Sequence, residues 1–152
     1  MILRRHVLGV AVVVLALAGG GARHGAEAQT PATDIGVAEQ TQIRLVIERQ
    51  IDAFRRDDGA DAFGFASPTI QGLFGSPDNF MAMVRGGFAP VYRPRAVEFD
   101  QLVRTGAALI QLVNLVGPDG APVVAAYEMQ LQPDRTWRIN GCVLLPATSR
   151  AT

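Results

Sequence analysis

Apolar residues recur at helical spacing in the first half of the chain and alternate with polar ones in the second. Ile43, Val46, Ile47, Ile51 and Phe54 share one side of a helix beginning near Val37, while Glu39, Gln42, Arg44, Glu48, Arg49, Asp52, Arg55 and Arg56 fill the other. Asp58 precedes a short helix presenting Ala62, Phe63 and Phe65. Ser67-Pro68 and Ser76-Pro77 each place a capping hydroxyl before a proline suited to the first helical position. The second of these helices carries Phe80, Met83 and Val84 and closes at Gly86-Gly87.

After Pro90 the period changes to two. Extended runs cover 95–104, 108–116, 123–132 and 137–145, separated by Thr105-Gly106-Ala107, Pro118-Asp119-Gly120 and Pro133-Asp134-Arg135. Turns this short join antiparallel neighbours. Helices followed by a meander predict an α+β fold, with N-terminal helices packed on one face of a four-stranded antiparallel sheet.

With three-residue loops throughout, one sheet face collects Phe99, Val103, Leu109, Val113, Val123, Met129, Leu131, Trp137 and Ile139, with Gln101, Gln111 and Tyr127 in a line across three strands. Buried amides and a phenol need partners. They either bond one another or orient a ligand in an apolar hollow walled by Phe54, Phe63, Met83, Tyr127, Met129 and Trp137, with Gln101 and Gln111 as polar anchors. The other face mixes Glu98, Asp100, Glu128 and Arg138 with Leu102, Ile110, Leu112, Val124, Cys142 and Leu144. Aliphatics rimmed by charge predict a homodimer through this outer face. A one-residue slip in the first strand would exchange faces and bring Asp100 beside Tyr127, the one carboxylate and phenol pairing here that offers acid-base chemistry.

The first 28 residues read as an export leader. Arg4 and Arg5 precede an apolar run from Val7 to Ala18, too short to cross a bilayer at the roughly 20 residues that requires, and Ala26-Glu27-Ala28 offers small residues for cleavage. Leu3, Val7 and Gly9 depart from the fuller twin-arginine pattern, so ordinary secretion is the expected route. No cysteine stands near the cut to take a lipid, so no membrane anchor is expected afterwards. The expected layout is a signal peptide over 1–28, a flexible tether over 29–36, one domain over 37–147 and a tail over 148–152, in a periplasmic or secreted protein.

Composition narrows the chemistry. The chain has no lysine, and its two histidines, His6 and His24, lie in the leader. Histidine-based triads and zinc sites, Schiff bases and a Gly-Lys-Ser phosphate loop are thereby closed to the domain, and neither metal nor cofactor is expected. After cleavage 11 arginines face 13 acids with no basic stripe, so nucleic acid is not an expected partner. The single cysteine, Cys142, is expected to be a small buried hydrophobe.

Gln50-Ile51-x-Ala53-Phe54 with Asp57-Asp58, Ala62-Phe63, Ala66-Ser67-Pro68-x-Ile70, Phe74, Phe80-x-x-Met83-Val84, Pro90-Val91-Tyr92-Arg93-Pro94 and Trp137-Arg138-Ile139-x-Gly141-Cys142 together resemble a bacterial family, domain of unknown function 4864. The layout is similar to the nuclear transport factor two-like superfamily, which implies helices and a curved sheet forming a cone around an internal pocket. That superfamily includes isomerases, dehydratases, epoxide hydrolases and inactive proteins, so the resemblance carries no catalytic residue to this chain.

Three readings follow. The first is a non-catalytic exported domain binding a small apolar or amphipathic molecule. The second is a cofactor-independent lyase, isomerase or hydrolase using Tyr127 with Asp100 or an acid near Asp57 and Asp58. The third is an envelope protein-interaction module. Expressed from its full coding sequence in a bacterial host, the accumulated soluble protein is expected to begin at Gln29 by intact mass; retention of Met1–Ala28 in that pool would count against export.

Overall fold

The computed structural model describes residues 30–31, as backbone, and 35–147; the expected leader, part of the tether and the tail lie outside the described residues. The elements are β1 (Thr30–Pro31), α1 (Val37–Arg55), α2 (Gly59–Gly64), α3 (Pro68–Phe74), α4 (Pro77–Gly87), α5 (Ala89–Tyr92), β2 (Ala96–Thr105), β3 (Ala108–Val116), β4 (Pro122–Leu131) and β5 (Trp137–Pro146). The sheet order is β1-β2-β3-β4-β5, antiparallel throughout. Helices pack on one face of the curved four-stranded meander, the α+β arrangement expected; β1 adds a two-residue edge within the stretch expected to be a tether.

Each helix boundary has a chemical cause. Ile43, Ile47, Gln50, Ile51 and Phe54 form the buried stripe of α1. Its end is sharp because Asp57 enters the left-handed region (φ 54°), letting Asp58 N–H bond back to Ala53 O at 2.9 Å and Asp57 N–H to Phe54 O at 3.0 Å. Asp58 then caps α2 by accepting from Asp61 N–H at 3.0 Å. Ser67 and Ser76 accept from the amides of Ile70 and Asn79, both at 3.2 Å, with Pro68 and Pro77 just inside α3 and α4. The pattern of apolar residues gave no sign of α5, a single turn after Phe88.

Turn chemistry sets the register. Gly117 N–H donates to Ala121 O (2.9 Å) and Gln132 N–H to Thr136 O (2.8 Å), so both later hairpins close with three-residue loops as expected; Gly120 (φ 82°) and Arg135 (φ 66°) take the left-handed position in each. The first hairpin differs. Gly106 (φ 58°) makes a two-residue turn in which Thr105 pairs with Ala108, shifting the register by one. A bulge between Phe99 and Leu102 absorbs the difference, and Phe99 pairs with Val113 as expected.

A second bulge interrupts β5, where Met129 pairs with Ile139 but Glu128 with Gly141. Together the bulges reassign faces. Leu102, Cys142 and Leu144, expected outside, pack against the helix-facing core, while Val103 turns to the other face and Leu131, expected inside, is 46% exposed at a strand end.

Ser67 joins the helical layer to the second bulge. Wholly buried, its Oγ accepts from Ile70 N–H and donates to Asn140 Oδ1 at 2.7 Å, and its own N–H reaches Ile139 O at 2.8 Å. Ser67→Ala is expected to remove about 1–3 kcal/mol of unfolding free energy in urea titrations. Ser76→Ala, the same cap without that cross-link, should remove about 0.5–1 kcal/mol. Equal losses would show that the Asn140 bond contributes nothing.

Candidate functional site

An apolar cavity of about 70 Å³ lies between the helices and the β4–β5 half of the sheet. From α1 come Gln50 and Phe54; α3 and α4 supply Ile70, Phe74, Phe80, Met83 and Val84, and β4 and β5 supply Tyr127, Ile139 and Cys142. Phe80 organises the helical wall: its ring lies 6.1 Å from Phe54, 5.3 Å from Phe63 and 5.7 Å from Phe74. Phe74, Met83 and Phe88 are only part-buried and form the mouth, whereas Phe54, Phe80, Tyr127 and Ile139 are buried.

Tyr127 and Gln50 are the polar side chains of this wall, with the weakly polar Cys142 thiol beside Tyr127. The Tyr127 side chain is 0% exposed and its hydroxyl has no hydrogen-bond partner among the described residues. Burial holds the phenol well above its ordinary 10, with the neighbouring Cys142 thiol adding to the shift, and burial pushes that thiol up to about 12. Both groups are therefore protonated at neutral pH. Tyr127 can donate a hydrogen bond but cannot act as a base, and Cys142 is a poor nucleophile. Among the described residues, the cavity lining contains no carboxylate, arginine or other charged side chain.

Of the residues expected to line the hollow, Phe54, Met83 and Tyr127 do so. Phe63 packs behind Phe80. Gln111 is the register partner of Tyr127 but spends its amide elsewhere: Nε2 donates to the carbonyls of Asp100 and Leu112, both at 2.9 Å, and holds the β2 bulge. Gln101 is exposed within that bulge, so the expected line of two amides and a phenol does not form. Met129 and Trp137 are buried on the helix-facing side but line a separate groove of about 480 Å³ with Ile35 and Leu109.

Asp100 does not meet Tyr127. It is exposed on the outer face, where Oδ2 accepts from Asn114 Nδ2 at 3.4 Å beside Glu98 and Leu112. The carboxylate that does touch a phenol is Asp57, which accepts from Tyr92 Oη and pairs with Arg93 at 2.8 Å and Arg85 at 3.5 Å. Arg93 also stacks on the Tyr92 ring at 3.9 Å and donates to Phe54 O, closing the end of α1. The Tyr92 hydrogen bond, with Arg93 and Arg85, holds the Asp57 carboxyl below the usual carboxylate range, making it a weak base. Its evident task is to tie α1 to α4 and α5.

The sequence left Gln50, Phe80 and Cys142 out of the site. Gln50 gave a signal, a polar residue on the apolar stripe of α1; it is 3% exposed and its Nε2 donates to Ala62 O at 3.1 Å. Cys142 is expected to be buried as a lone cysteine, but the bulge that turns it toward the cavity has no residue signature.

A family model described as Domain of unknown function (DUF4864) matches residues 37–152. No curated protein and no solved structure matches the chain.

The raised values of Cys142 and Tyr127 set the alkaline stability. Both groups hold their protons in the folded state longer than in the unfolded one, so their contribution is full below pH 9 and is lost as pH rises from there toward 12. Cys142→Ala and Tyr127→Phe should each flatten the fall in unfolding free energy between pH 9 and 11. An unchanged slope in both variants would show that neither group resists ionisation.

Proposed function

We propose that this chain, which belongs to the Domain of unknown function (DUF4864) family, binds a small apolar or amphipathic molecule without chemical turnover, with Tyr127 donating a hydrogen bond to it. The observation that carries this reading is the Tyr127 hydroxyl, fully buried and without a partner among the described residues, in a mostly apolar wall whose other polar side chain, Gln50, donates to Ala62 O. An unsatisfied buried hydroxyl costs about 1–3 kcal/mol. A ligand oxygen at that point removes the penalty.

Size defines the ligand further. Typical pockets for drug-sized molecules span roughly 300–1,000 Å³, and this cavity of about 70 Å³ takes only a short apolar group bearing an acceptor, such as the carbonyl end of a small ketone, ester or protonated acid. Met83 and Phe88 at the mouth are the side chains whose rotation would admit more. Proton-transfer chemistry has little support in this cavity, since its two titratable side chains, Tyr127 and Cys142, both stay protonated. Helices ahead of a curved antiparallel meander support membership of the nuclear transport factor two-like superfamily. The Arg4-Arg5 leader supports action outside the cytoplasm.

The test pairs mass spectrometry of small molecules carried by the purified protein with thermal shifts in a series of short-chain ketones, esters and alcohols. Tyr127→Phe is expected to unfold at the same temperature or higher without ligand, because the stranded hydroxyl is gone, and to bind carbonyl compounds about tenfold more weakly. Equal affinity of both proteins across the series would remove Tyr127 from the reading. No carried molecule and no shift with any compound would end it.

A further inference from the structure

Among the described residues, the outer edge of β5 is covered for only half its length. Up to the bulge, residues 64–67 close it: Ile139 N–H donates to Phe65 O at 2.9 Å, Ile139 O accepts from Ser67 N–H at 2.8 Å, and Arg138 reaches Gly64 O. Beyond the bulge the alternation of the ladder says which groups look outward. The bond from Gly117 N–H to Ala121 O, at the end of the β3–β4 ladder, makes Tyr127 face β3 with both backbone groups. Its β5 partner Cys142 therefore turns its N–H and C=O away from β4, as does Leu144 two residues on. Among the described residues nothing takes these groups.

Natural sheets protect such edges with charge, proline or a covering segment. From Gly141 to Leu145 there is no charge and no proline, and Val143 and Leu145 are 48% and 42% exposed; protection resumes only at Pro146, which has no N–H to donate.

We propose that this edge pairs with the same edge of a second copy, β5 against β5 in antiparallel sense, about a two-fold axis through Val143. In this register Cys142 of each copy meets Leu144 of the other, so every outward N–H and C=O finds its complement. Centring the pair on Leu144 would set Cys142 against Pro146 and lose donors, and centring it on Cys142 would run into the segment already laid along Ile139. The chosen register also sets Leu145 against Gly141 of the second copy. Gly141 has room for it: a Cβ added there would meet only Glu128 Cβ, at 3.9 Å. An uncharged strand that places its glycine opposite its own leucine is complementary to itself, and the two-fold closes the assembly.

In this proposal the contact between copies lies at the edge of the sheet, whereas the homodimer expected across the outer face would bring together Glu98, Asp100, Glu128 and Arg138 from each copy. An edge contact of this length falls at the small end of interface sizes, so self-association is reversible and grows with concentration.

Sedimentation velocity from micromolar to near-millimolar protein, purified from expression of the full coding sequence, should show the average mass rising from one copy toward two. Val143→Glu is expected to weaken association at least tenfold while leaving the melting temperature unchanged, since Val143 packs little within one copy. Under mild oxidation Val143→Cys should form a covalent dimer, because directly opposed residues in a non-hydrogen-bonded pair suit a disulfide. Leu145→Cys alone should not, but should link to Gly141→Cys when the two are mixed. A monomer mass at every concentration would overturn the proposal, as would Leu145→Cys linking to itself as fast as Val143→Cys.

Discussion

Side chains on a strand alternate between faces, so one extra residue in a ladder exchanges the faces of everything beyond it, and this sheet carries such a residue in each of two strands. The bulge in β2 lets a tight two-residue turn at Gly106 coexist with Val97 and Phe99 facing the helices. That in β5 turns Cys142 and Leu144 inward after Asn140 has pointed the other way, toward Glu128. Each is held by a side chain: Gln111 binds the carbonyls of the first, and Ser67 reaches the second through Asn140. The same two irregularities bend the sheet, set the cavity wall and, among the described residues, leave the last strand half uncovered.

The helical layer is tied down by polar contacts at its rim. Asp57, in a left-handed conformation that aspartate tolerates better than most residues, holds Tyr92, Arg93 and Arg85. These groups are about half exposed, so their pairing contributes geometry more than energy. What the clamp positions is Phe54: Arg93 binds its carbonyl, and its ring stacks on Phe80 at 6.1 Å and meets Tyr92 edge-on at 6.5 Å. The motifs that mark the family resemblance thus meet in space, Asp57 with Tyr92-Arg93 at the rim and Phe54, Phe80, Met83 and Cys142 around the cavity.

Much of the fold was legible because it is written in local chemistry. Asp58, Ser67 and Ser76 each cap the helix expected of them, and the Pro-Asp loops close where their turn residues place them. The site was less legible, for one reason. Its membership depends on sheet parity, and parity depends on bulges that follow from the balance of turn, pairing and packing and leave no mark of their own in the sequence. Gln101 and Asp100 sit in one bulge, so an expectation for either was an expectation about an irregularity. Tyr127 lies on the helix-facing side, as the alternation of its strand predicts, because β3 and β4 pair without a break.

That unbroken pairing makes the hydroxyl of Tyr127 the most informative atom in the molecule. Phenylalanine would fill the same space, pack against the same neighbours and leave no polar atom stranded, so the fold does not need the oxygen. Nor does the oxygen serve the ladder, because Gln111 opposite is committed to the β2 bulge and the adjoining thiol of Cys142 is a weak partner. A penalty of about 1–3 kcal/mol is a sizeable share of the 5–15 kcal/mol that separates folded from unfolded domains. A hydroxyl with no protein partner among the described residues, kept neutral by burial, is a donor that an acceptor from outside the chain can use. Under the proposed reading the apolar walls would supply the remaining attraction, and the small volume would set how much of a ligand enters.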